Sequence, residues 1–181
     1  CRQAIRLRND FKQAYNNLGL AYKRKGQLQK AASSYRQALK IDPQYDKALS
    51  NLSMLQVARD KLEAAADNAR RAVSQRPDSP ELHSNLGLVY NRQGKFEKAL
   101  QESRKAIILA PDYVQAYNNL GTALMELGKF SEADEAFEKA ISIRPDCAQA
   151  HHNRALVLLL RGRFQKGWAE YEWRWRNECF S

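Results

Sequence analysis

Four prolines, Pro43, Pro77, Pro111 and Pro145, stand 34 residues apart. The hexapeptide AYNNLG occurs at 14–19 and again at 116–121, a shift of three such periods. A fixed period of this length means stacked copies of one small unit, because a unit so short cannot bury its apolar face alone. The sequence is therefore read unit by unit, numbering each copy from 1 at Lys12, Asp46, Pro80, Val114 and Ala148.

Within that frame the same demands recur. Position 8 is small in every copy: Gly19, Ser53, Gly87, Gly121 and Ala155. Position 20 is Ala31, Ala65, Ala99, Ala133 and Gly167, and position 27 is Ala38, Ala72, Ala106, Ala140 and Arg174. Position 7 is Leu18, Leu52, Leu86, Leu120 and Arg154. A turn residue stands at position 15, as Gly26, Asp60, Gly94, Gly128 and Gly162. At about 100° per residue, positions 4, 7, 8 and 11 share one side of a first helix, and 20, 24, 27 and 28 one side of a second. Small residues at 8, 20 and 27 let the helix backbones approach, and Tyr15, Tyr22, Tyr35 and Phe137 fill the space left over. Proline at 32 stops the second helix by driving the residue before it out of the α region.

This pattern resembles the tetratricopeptide (TPR) repeat, a helix–turn–helix unit with small residues at 8, 20 and 27 and proline at 32. The resemblance implies an all-α fold, a right-handed TPR solenoid. Its units are expected at 12–45, 46–79, 80–113, 114–147 and 148–181, and 1–11 are expected to be the end of a preceding helix B. Ala4 and Ile5 then fall at positions 27 and 28, and Asn9 where proline would be. With no initiator Met, Cys1 reads as a cut edge. At the other end, GWAEYEWRWR (167–176) departs from the repeat, with Arg174 at position 27 and Cys179 at 32. Phe164, Trp168, Tyr171 and Trp175 are spaced 4, 3 and 4, one stripe on a helix. Two readings stand: an aromatic-rich capping helix covering the last unit, or a docking surface carried by Trp168, Trp173 and Trp175. This ending also resembles the close of TPR arrays in bacterial proteins that continue into a glycosyltransferase-like domain.

Position 6 is asparagine in all five units: Asn17, Asn51, Asn85, Asn119 and Asn153. Positions 2, 6, 9 and 13 point away from the packing side, so in a solenoid with the first helices inside they line a concave groove. Asparagine offers both a donor and an acceptor, which suits the recurring amides of an extended chain whatever its sequence. The row resembles the asparagine ladder in the superhelix of O-GlcNAc transferase, where it holds substrate peptide backbone. The opposing reading is that these asparagines bond neighbouring backbone and hold adjacent repeats together. Leu20 and Leu88 at position 9, with position 5 (Asn16, Ser50, Ser84, Asn118 and His152), make the rest of the groove neutral. Lys23, Arg24 and Arg92 give its N-terminal part a preference for acidic ligand side chains. The carboxylate clamp of chaperone-binding TPR proteins needs Lys and Arg converging around such an asparagine. Position 5 holds no Lys, position 6 no Arg and position 9 no Asn.

Charge narrows the partner class. The chain carries +10, of which residues 1–45 hold +8 and units two to five +1, +1, −3 and +3. Basicity at the ends is not a stripe that tracks a nucleic-acid backbone, so nucleic acid is not the expected partner. The longest apolar run, Leu156 to Leu160, is far short of the roughly 20 residues that span a bilayer. Cys1, Cys147 and Cys179 lie far apart, pointing to a reducing, cytoplasmic setting. His83 and His151, both at position 4, are expected in the core or at its edge. Cys147 and His151 make two ligands, not the four of a structural zinc. No nucleophile–base pair, phosphate loop or carboxylate pair stands out.

The expected function is therefore non-catalytic, with no cofactor and no metal. The chain is read as a protein-binding module that takes an extended peptide segment in its concave groove, as part of a larger scaffold or multidomain protein. The alternative is the substrate-recognition arm of an O-GlcNAc-transferase-like glycosyltransferase. Self-association through the solenoid ends is a further partner class.

Overall fold

The computed structural model describes residues 11–173. The expectations for residues 1–10, Arg174, Trp175 and Cys179 lie outside the described residues. Within them the chain forms ten helices and no strand. In order these are α1 (Lys12–Arg24), α2 (Leu28–Ile41), α3 (Asp46–Val57), α4 (Leu62–Gln75), α5 (Pro80–Arg92), α6 (Phe96–Leu109), α7 (Val114–Glu126), α8 (Phe130–Ile143), α9 (Ala148–Leu160) and α10 (Phe164–Tyr171). Each odd-numbered helix packs antiparallel on the next even-numbered one, and each pair stacks on the pair before it.

The tight turn inside each pair is a backbone device. In the first, Gln27 N–H donates to the Tyr22 carbonyl at 2.9 Å and Gly26 N–H to the Lys23 carbonyl at 3.0 Å. This crossed pair of bonds satisfies the last carbonyls of the helix and needs a left-handed residue between them. Gly26, Gly94, Gly128 and Gly162 supply it at φ +68° to +72°, and Asp60 is forced to φ +56° at the same place. The turn between pairs works the other way. Asp42, Ala110 and Arg144, each one residue before a proline, are extended. The histidine or tyrosine at position 4 then pins that turn. His83 Nε2 meets the Pro77 carbonyl at 2.8 Å, Tyr117 donates to that of Pro111 at 3.1 Å, and His151 Nε2 meets that of Pro145 at 2.9 Å.

Alanines at positions 20 and 27 are buried in units one to four. The space between paired helices is shared between positions 8 and 24. Where position 8 is Gly19 or Gly121, position 24 holds a fully buried ring, Tyr35 or Phe137. Where position 8 is Ser53, position 24 shrinks to Ala69, and the Ser53 hydroxyl donates to the Ala65 carbonyl at 2.8 Å. The second unit also trades apolar contact for polar: Asn68 Nδ2 donates to Gln56 Oε1 at 2.9 Å.

Candidate groove and asparagine ladder

The direction of curvature follows from which helices touch. The odd helices α1, α3, α5, α7 and α9 each contact the next odd helix, whereas no two even helices do among the described residues. The odd row is therefore the shorter, inner side, and the groove lies along it.

On this side the asparagines form a ladder, and its rungs run between units. Asn51 Nδ2 donates to Asn16 Oδ1 at 2.9 Å, Asn85 Nδ2 to Ser50 Oγ at 3.0 Å, and Asn153 Nδ2 to Asn118 Oδ1 at 3.1 Å. Asn119 Nδ2 reaches both the Ser84 carbonyl at 2.9 Å and its hydroxyl at 3.1 Å. Every junction among the five pairs thus has a position-6 amide donating to the position-5 residue of the unit before. Position 5, read from the sequence as neutral groove lining, is taken up mainly by these junctions: Asn16, Ser50, Ser84 and Asn118 are buried there as acceptors. The signal was present in the sequence as a row of small hydrogen-bonding residues over the first four units. Asn17, on α1, is exposed.

The ladder leaves half of each amide open. The Oδ1 atoms of Asn51, Asn85, Asn119 and Asn153 accept no hydrogen bond among the described residues. Asn119 and Asn153 line an open concavity of about 540 Å³ with Leu88 and Arg92, and with Asn91 and Thr122. Asn91 was not among the residues expected to form the site. It hangs from α5, donates its Nδ2 to the Asn119 carbonyl at 2.8 Å, and keeps a buried Oδ1 without a partner among the described residues. Leu20 is half-buried and Lys23 and Arg24 are exposed on α1, near the N-terminal end of the inner row. Beside the polar concavity runs an apolar groove formed by Met125, Phe130, Leu156, Leu159 and Leu160.

At the C-terminal end, read from the sequence as a cap or a docking surface, part of the aromatic stripe is open. Phe164 and Trp168 are 61% and 55% exposed, and Trp168 meets Tyr171 edge-on. Trp173, off the stripe, instead stacks on His151 with ring centroids 3.9 Å apart. The last unit also presents polar groups there. Arg154 stands where the other units have leucine, and donates to Asp134 at 2.8 Å, Glu138 at 2.8 Å and Glu170 at 3.2 Å. Burial alone would lower its pKa, but the Asp134 hydrogen bond and the three carboxylates outweigh that and raise it. Glu170 also bonds His151 Nδ1, as Glu102 bonds His83 Nδ1 at 2.6 Å two units earlier. Both histidines are thus held in structural pairs. Among the described residues no group of three or more His, Cys, Asp or Glu side chains is placed to hold a metal. No described helix is long and apolar enough to cross a membrane.

Models of the tetratricopeptide repeat match residues 13–45, 78–146 and 148–167, and a TPR repeat model matches 55–94. Comparison with curated proteins finds no match. Many solved structures do match. One, described as the functional characterization of Pseudomonas aeruginosa pilF, is 24% identical, with a TM-score of 0.79 over 90% of this chain and 74% of that one. TTC0263, a thermophilic TPR protein of Thermus thermophilus, is 23% identical with a TM-score of 0.79, covering 89% and 88%. YrrB, described as a TPR protein with an unusual peptide-binding site, is 20% identical with a TM-score of 0.71, covering 95% and 89%. At these identities the likeness carries the fold.

Proposed function

The chain belongs to the tetratricopeptide repeat family, a family of protein–protein interaction modules, and on that premise we propose that it binds an extended segment of a partner protein along its inner row of helices. The observation that carries this reading is the orientation of the ladder. Each amide nitrogen is engaged with the preceding unit, while the carbonyl oxygens of Asn51, Asn85, Asn119 and Asn153 stay unbonded among the described residues. A row of fixed acceptors matches the backbone N–H groups of an extended chain, which recur regardless of side chain. The rungs therefore serve both alternatives at once: they hold the units in register and present oxygens to a ligand.

In this reading the units 12–45, 46–79, 80–113, 114–147 and 148–181 form a non-catalytic arm of a larger scaffold or multidomain protein in a reducing, cytoplasmic setting. The asparagine row also underlies the likeness to the arm of O-GlcNAc-transferase-like proteins, so an extended peptide is the ligand to seek in that reading too.

The test is a peptide-library selection on the whole chain, followed by affinity and melting measurements on one variant carrying Asn51→Ala, Asn85→Ala and Asn119→Ala. At about 0.5–1.5 kcal/mol per hydrogen bond, binding should weaken by roughly one to three decades. Replacing exposed Arg36 and Arg104 on the outer helices should leave it unchanged. Selected peptides that bind the triple variant as well as the parent would overturn the groove reading.

A further inference from the structure

The inner helices α5, α7 and α9 end on Arg92, Glu126 and Leu160, which all occupy position 13 and all are exposed. Arg92 and Glu126 line the polar concavity, and Glu126 and Leu160 line the apolar groove beside it, so Glu126 joins the two into one surface. Helix stability does not account for Glu126. An acid in the last turn faces the negative end of the helix dipole, and Glu126 has no ion pair among the described residues. Arg92 likewise lacks one. Leu160 is 64% exposed beside Phe130 and Leu156. Along the groove the surface thus offers a cation, an anion and an apolar pocket in successive units.

Resting on the groove reading above, we propose that this surface selects a peptide segment in polyproline II conformation carrying an acidic, a basic and a bulky apolar residue at intervals of three. Neighbouring helices pack about 8–10 Å apart. A polyproline II chain rises about 3.1 Å per residue with three residues per turn, so every third side chain returns to the same face after about 9 Å. That period falls within the usual separation of packed helices, whereas a β-strand would turn its third residue away. The acidic residue faces Arg92, the basic residue faces Glu126, and the apolar residue enters the groove at Leu160. Such a chain makes no internal hydrogen bonds, which leaves its N–H groups for the open Oδ1 atoms of Asn119 and Asn153 in the same concavity.

The experiment uses fluorescence anisotropy with the whole chain and labelled nine-residue peptides in a proline–alanine background. Two contain Asp-x-x-Lys-x-x-Leu in either chain direction, and a third has the same composition shuffled. One direction should bind at least about ten-fold more tightly than the shuffled peptide. Glu126→Lys should abolish that preference and transfer it to the peptide with Glu in place of Lys. Leu160→Lys should weaken both, with the circular dichroism of each variant unchanged. Equal binding of ordered and shuffled peptides would overturn the register. Peptides whose binding falls in the triple asparagine variant but ignores Glu126→Lys would overturn the register alone. Peptides insensitive to both would overturn the groove reading as well.

Discussion

A methyl group built on Gly121 would lie 2.6 Å from the Phe137 ring, which is itself fully buried. No carbon tolerates that distance, so either the ring or the helix must move. Gly121→Ala should destabilise the chain by about 1–3 kcal/mol despite alanine's better helix propensity. Gly87→Ala should cost less, since the new methyl meets the Ser103 hydroxyl at 3.0 Å and nothing closer. Urea denaturation of the two variants checks the order, and shrinking the ring with Phe137→Leu should recover part of the Gly121→Ala loss.

Asp60 is the non-glycine residue held at positive φ among the described residues. An L side chain there strains the turn, and glycine relieves it. Asp60→Gly should therefore raise stability by about 0.5–1 kcal/mol, less the entropy glycine adds to the unfolded chain. Thermal melting should rise by a few degrees at most. A lower melting temperature would show that the aspartate side chain itself holds the turn.

The rung between Asn119 and Ser84 can be measured as a coupling. Asn119→Ala and Ser84→Ala each remove one side of it, and the double variant removes both. The cycle should return a coupling of about 0.5–1.5 kcal/mol. Part of the Asn119 contact goes to the Ser84 carbonyl and survives the serine change, which keeps the figure towards the lower end.

Lys12 pairs with Asp42 across the first helical hairpin, with its ammonium 5.0 Å from the Tyr45 ring centroid. The Lys12 hydrogen bond holds the Asp42 carboxyl below its ordinary range. That contribution is present above about pH 4, where the unfolded carboxyl is ionised, and is lost as pH falls through the lower folded value. The same contact raises the Lys12 pKa, so it also fades in strong alkali. Melting curves of the parent and Asp42→Asn should differ slightly at neutral pH, converge on acidification, and converge again in high salt.

The period, the small positions, the glycine turns and the proline stops were all legible from residues alone. Each is a volume or backbone demand met by one residue type at one place, as Gly121 meets Phe137 or Gly128 meets its turn. The ladder was only half legible. That Asn119 faces inward follows from helical angle, but that its nitrogen turns to Ser84 depends on which helix lies alongside after stacking. The aromatic end stayed open between a cap and a docking surface for a similar reason. Spacing grouped Phe164 with Trp168, which are both exposed, whereas the ring of Trp173, off that stripe, stacks on His151. Asn91 gave no signal, because its role comes from reaching a carbonyl in the next unit.

The outer helices never touch one another among the described residues, while the inner ones do. Tilting one unit against the next is therefore resisted by the inner seam and its amide rungs, and by the even-to-odd contacts behind them, with open wedges on the far side. The array has the mechanics of a coil spring whose leaves are riveted along one margin. Small rotations at each rivet accumulate over five units, so the width of the groove is a property of the whole length and adjusts most where a rivet is weakest.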